Sequence, residues 1–213
     1  MSELIEIFKN LINPEFIIQY GGITLLILVI FAETGLFFGF FLPGDSLLFT
    51  AGLFCGTAYL DINILTLIIL LILAAFLGDN IGYFFGNKVG EKLFKRKDSF
   101  FFKKKYLEIT KAFYQKHGGK AVIFGRFFPI IRTFAPILAG AAGVEFKKFT
   151  LYNIIGALLW IPSFILAGYF LVRIIPNIQD YLHYIILGVI AVSVAPVAIA
   201  FIKGRKNYYP KEF

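Results

Sequence analysis

Long apolar stretches, interrupted by short polar, proline or glycine breaks, run along most of the chain, at roughly 16–42, 46–60, 62–86, 121–142, 149–172 and 183–202. A helix needs about 20 apolar residues to cross the hydrocarbon of a bilayer. The stretches 62–86, 149–172 and 183–202 therefore read as full transmembrane helices. The others are too short, or are broken by Pro, Gly and charge. Residues 1–20, with Glu6, Lys9 and Glu15 among Leu and Ile, read as an interfacial helix.

Two broken segments, 21–60 and 121–143, stand apart from the full spans. Pro43-Gly44 cannot continue a helix, because proline lacks the donor and clashes one turn back while glycine frees the backbone. The chain is expected to turn there, with Asp45 or Ser46 capping a new short helix that runs to Gly52. Pro129 and Pro136 break the second segment in the same way, with Thr133 beside the break. Irregular backbone at membrane depth is tolerated only against other protein or a water-filled cavity. Two re-entrant helical hairpins meeting near the midplane meet that condition, in the manner of the inverted repeats of secondary transporters. The predicted fold is thus an all-α polytopic membrane protein.

Composition agrees. Of 213 residues, 59% are hydrophobic, 18% aromatic and 16% charged, and the mean hydropathy is +0.80. Soluble domains average about 45–50% apolar and about 25% charged residues, and a single core at this length leaves too much surface uncovered. One cysteine, Cys55, excludes an intrachain disulfide and a thiolate metal cluster, and the two histidines, His117 and His183, are far apart. No metal and no cofactor is expected. Glu3 and Glu6 stand where a secretory signal carries basic residues, so no cleaved leader is expected.

The net charge of +8 is concentrated in one place. Between Lys88 and Lys120 there are eleven Lys and Arg against Glu91, Asp98 and Glu108, while the rest of the chain balances ten against ten. The positive-inside rule puts this 88–120 segment in the cytoplasm. Within it Phe102, Tyr106, Ile109 and Phe113 form the apolar stripe of a basic amphipathic helix suited to an anionic leaflet rather than to nucleic acid. The tail 203–213, with Lys203, Arg205, Lys206 and Lys211, falls on the same side. The expectation is a multi-pass protein of the cell membrane, and the bilayer is its first partner.

Chemistry is expected where charge interrupts the apolar pattern, since an ionisable group at bilayer depth costs about 2.5–3.5 kcal/mol on insertion scales. The broken segments carry Glu33 and Asp45 in one and Arg126 and Arg132 in the other, a neutral set of four. Such a set can be static ion pairs holding the hairpins together. Alternatively, the two guanidiniums bind phosphate oxygens while a carboxylate alternates between arginine and a proton. The natural ligand is then an anionic lipid phosphate, and protons or another ion are the coupling partner. Gly78, Gly82 and Gly86 make a smooth helix face for close packing, with Asp79 beside it as a further candidate for ion coupling. Asn153, Gly156 and Trp160 share one face of 149–172, suited to packing against the hairpins.

These stretches resemble the signatures of the DedA family, whose defining region is also called the SNARE-associated Golgi protein or VTT domain. The matches are Glu33 with Asp45 in Pro43-Gly44-Asp45, then Gly78-Asp79-x-x-Gly82-Tyr83, then Gly125-Arg126-Phe-x-Pro129-x-x-Arg132-x-x-x-Pro136-x-x-Ala139-Gly140. The resemblance covers residues 20 to 200 and has no departure at the four charged positions. It implies two re-entrant hairpins in an inverted repeat and a lipid transporter, flippase or scramblase. It further implies undecaprenyl phosphate as substrate and dependence on the proton motive force, with Glu33, Asp45, Arg126 and Arg132 as functional residues. No enzyme is expected, because neither histidine lies in the broken segments and no span carries an Asp-rich metal motif or Ser-His or His-Glu-His spacing. A non-selective phospholipid scramblase and a structural or assembly factor with static ion pairs are the alternatives.

Overall fold

A computed structural model describes residues 14–37, 39, 42–94, 120–174 and 188. The stripe Phe102–Phe113, nearly all of the span 183–202 and the tail 203–213 lie outside the described residues. What is described is all-helical: α1 (Pro14–Gly35), α2 (Gly44–Phe54), α3 (Ile64–Phe94), α4 (Lys120–Gly125), α5 (Pro129–Ala141) and α6 (Phe146–Ile174). Among the described residues, three helices are long and apolar enough to cross a membrane: α1, the stretch Ile64–Val89 of α3, and α6.

Helix α1 opens on Pro14, whose fixed φ suits a first helical position, and Glu15 faces the positive end of the dipole. At Gly22 the backbone adopts φ 52, ψ −148, a region open essentially to glycine, and the helix kinks. Residues 14–20, read from sequence as interfacial, belong to this helix, and the kink falls close to the expected boundary at residue 21. After Gly35 a run of turns carries the chain through Leu36, Gly39 and Leu42 to Gly44, with backbone bonds of 2.9–3.0 Å.

The break at Pro43-Gly44 starts α2 as expected, but the cap differs. Pro43 is the N-cap, no side chain caps the helix, and the Ser46 hydroxyl donates to the Pro43 carbonyl at 3.4 Å. Asp45 instead directs its carboxylate to tertiary partners. Helix α2 has 11 residues and runs past Gly52 to Phe54, with every residue buried. At 1.5 Å per residue it is about 16 Å long, half the hydrocarbon thickness. Asn63 caps α3, its Oδ1 accepting from the Leu65 amide at 2.8 Å, and α3 runs beyond residue 86 to Phe94. Pro129 opens α5, Pro136 lies inside it, and Gly143, at φ 73, closes it where the left-handed backbone favours glycine.

Packing follows the small residues. A Cβ on Gly52 would strike the Ile165 carbonyl of α6, and one on Gly168 would strike the Phe49 carbonyl of α2. Likewise Gly86 of α3 backs onto the Ile137 carbonyl of α5, and Gly140 of α5 onto the Tyr83 carbonyl of α3. Gly35 and Gly78 bring α1 against α3. The glycine face of α3 is thus used for close crossing, as its spacing predicts. On the opposite side of α3, Leu65, Ile69, Leu73, Leu77 and Ile81 are exposed at four-residue spacing, an apolar stripe whose natural solvent is lipid.

Candidate functional site

The turn between α1 and α2 folds Glu33, near the end of one helix, back toward Asp45, in the first turn of the other. Gly44 permits it: a Cβ there would overlap the Glu33 carboxylate. The turn between α4 and α5 does the same for Arg126 and Arg132, one in the turn and the other in the first turn of α5. All four side chains are buried, at 1–4% exposure.

Arg132 donates from Nη1 to Asp45 Oδ1 at 2.6 Å and to the Arg126 carbonyl at 3.4 Å. Its Nη2 is ion-paired with Glu33 Oε1. The Trp160 indole N–H donates to the same Asp45 oxygen at 2.9 Å, and the Arg132 guanidinium lies 4.1 Å from the centroid of that ring. Such stacking suits arginine, which is planar and less strongly hydrated than lysine. The Thr133 hydroxyl donates to the Glu33 carbonyl at 3.2 Å, tying α5 to α1.

Arg126 has different partners from those expected. Charge balance in the sequence places it within the neutral set of four, but its Nη2 meets Asp79 Oδ2 of α3 and Asn153 Oδ1 of α6. The physical reason is position: Gly156 leaves room on α6 for the Arg126 stem, and a Cβ there would come within 2.7–2.8 Å of its Cδ and Nε. Asp79, beside the glycine face of α3, is then the acid within reach. The cluster therefore contains three carboxylates and two guanidiniums, one negative charge in excess when all are ionised. Asn153 and Trp160, both fully buried, join it as direct partners rather than as packing alone. Their shared face was visible in the spacing, but not which acids and arginines they would meet.

Several polar atoms of this cluster have no hydrogen-bond partner among the described residues: Arg126 Nε and Nη1, Arg132 Nε, Glu33 Oε2, Asp79 Oδ1 and Asn153 Nδ2. A buried unpaired donor or acceptor costs about 1–3 kcal/mol, so the arrangement has capacity for a further polar group. Three of the unpaired donors are on guanidiniums, which match the oxygens of phosphate or carboxylate. Among the described residues there is no group of three His, Cys, Asp or Glu able to hold a metal ion.

The family model of the VTT domain matches residues 42–170. Protein DedA of Escherichia coli (strain K12) is 44% identical over 194 residues, covering 90% of this chain and 88% of its own length. An uncharacterized membrane protein of Mycobacterium tuberculosis is 35% identical over 94% of this chain and 90% of its own. The inner membrane protein YqjA of Escherichia coli is 31% identical over 77% of this chain and 73% of its own. No solved structure matches. With its apolar helices and its buried charge at two helix breaks, the chain is a multi-pass membrane protein that belongs to the DedA family of VTT-domain proteins.

Proposed function

We infer that this protein is a carrier that moves a lipid with an anionic phosphate head group, undecaprenyl phosphate, between the leaflets of the inner membrane. The observation that carries the reading is the buried cluster itself: guanidinium donors without partners, held at two helix breaks, between helices whose outer faces are apolar. The head group takes the guanidiniums while the tail stays in the bilayer.

Glu33, Asp45 and Asp79 exceed the two arginines by one charge, so one proton neutralises the cluster and one phosphate must displace a carboxylate. Protonation of an acid as the phosphate arrives couples the movement to the proton motive force. In this reading the part of α1 beyond the Gly22 kink with α2, and α4 with α5, are the re-entrant hairpins, and the halves form an inverted repeat. The reciprocal crossings support it: Gly52 and Gly168 join α2 to α6 as Gly140 and Gly86 join α5 to α3, each glycine meeting the carbonyl three residues before its partner glycine. The basic 88–120 segment and the C-terminal tail face the cytoplasm, and no catalytic step is involved.

The test is reconstitution in liposomes with labelled polyprenyl phosphate, following leaflet distribution with and without an imposed pH gradient. Gradient-stimulated movement is expected for the wild type and is lost in Arg132→Ala and Arg126→Ala. Movement that is indifferent to both the gradient and the head group supports a non-selective scramblase. A wild type that leaves the lipid in place rejects the carrier.

A further inference from the structure

The two arginines are satisfied to different degrees. Arg132 donates from both Nη groups to carboxylates and stacks at 4.1 Å on Trp160, leaving only Nε without a partner. Arg126 donates from Nη2 alone, its guanidinium is 6.0 Å from the same ring, and both Nε and Nη1 are unpartnered. On the Arg126 side the unsatisfied atoms continue with Asn153 Nδ2 and Asp79 Oδ1.

We propose that the arginines have separate roles: Arg126 and Asn153 together form the subsite that contacts a tetrahedral oxyanion, and Arg132 is the fixed anchor of the cluster. This rests on the lipid-phosphate reading and adds to it a ligand-contacting residue and a selectivity. Asn153 uses its carbonyl oxygen to accept from Arg126 Nη2, which leaves its amide N–H₂ as a neutral donor beside the two free donors of Arg126. A carboxylate at that position would satisfy Arg126 and repel an anion. Three donor groups match the three terminal oxygens of a phosphate monoester, whereas a phosphodiester head group offers two. The subsite therefore selects monoesters, and inorganic phosphate shares the chemistry.

The full-length protein is placed in nanodiscs of zwitterionic lipid. It is titrated in separate arms with labelled polyprenyl monophosphate, with phosphatidylglycerol as the diester and with inorganic phosphate. Wild type, Asn153→Asp and Asn153→Ala are compared, with thermal unfolding recorded for each. The expected result is tighter binding of the monoester than of the diester in the wild type. Asn153→Asp, which keeps shape and acceptor, should unfold at the wild-type temperature yet bind the monoester roughly tenfold more weakly or worse, the scale of one lost charge-assisted bond. Asn153→Ala should lose the preference for monoester over diester. If the wild type binds the monoester and both variants bind it equally well, the Asn153 assignment is wrong while the carrier reading stands. If only inorganic phosphate binds, and Asn153→Asp abolishes it, the subsite is upheld and the lipid reading fails. If the wild type binds in no arm, both are rejected.

Discussion

Arg132 is enclosed by two carboxylates and an indole ring, and its removal leaves Glu33 and Asp45 facing each other without a cation. Losing one partner of a buried pair costs about 3–5 kcal/mol. Arg132→Ala should therefore lower the unfolding temperature in detergent more than Arg126→Ala, which leaves one carboxylate, Asp79, and the neutral amide oxygen of Asn153 without their donor. Adding Glu33→Gln and Asp45→Asn to Arg132→Ala should recover most of the loss; no recovery would mean that the arginine acts through packing. At this scale the sequence singled out Glu33, Asp45, Arg126 and Arg132 as buried charge, because ionisable residues among apolar ones are visible in one dimension. The pairing was not visible. Arg126 meets Asp79 across 47 residues and Asn153 across 27, and nothing in local spacing says which acid reaches which arginine.

Helices meet here through carbonyl-to-glycine crossings, and these set how α2 and α5 sit. Ordinarily Gly→Ala in a helix gains up to about 1 kcal/mol from propensity. At Gly140 the new Cβ would meet Tyr83 and Asn87 backbone, and at Gly168 that of Phe49 and Leu53. Backbone cannot rotate away, so each substitution should destabilise by about 1–3 kcal/mol despite propensity. Gly82→Ala, whose nearest neighbours are side-chain carbons at 3.4 and 3.5 Å, should be tolerated in the same unfolding measurement. The glycine face of α3 and the break at Pro43-Gly44 were legible because glycine spacing and proline act locally. The cap of α2 was not: Asp45 has the ordinary residue type for a cap, but a buried guanidinium and an indole compete for its oxygens and win. The kink in α1 is a similar case, since Gly22 permits an unusual φ without dictating it.

For the whole molecule, membrane residence was legible from composition alone. How the halves interlock was not, because it depends on contacts between distant segments. One such contact governs the order in which the protein is built. Helix α2 is buried on every side, and its partner α6 begins at Phe146, more than ninety residues after α2 ends. A nascent chain emerging from the ribosome thus carries a half-length helix that can pack against α1 but lacks its main partner until α6 has been made. The sole cysteine reports this event. Cys55, directly after α2, is 3% exposed and belongs to the same apolar cluster as Ile161 and Ile165 of α6. Stalled chains ending before residue 146 should react readily with a membrane-permeant maleimide, and chains extending past 174 should be protected. Equal protection at both lengths would mean that something other than α6 covers the end of α2 while the chain waits, and equal labelling that α6 does not shield it.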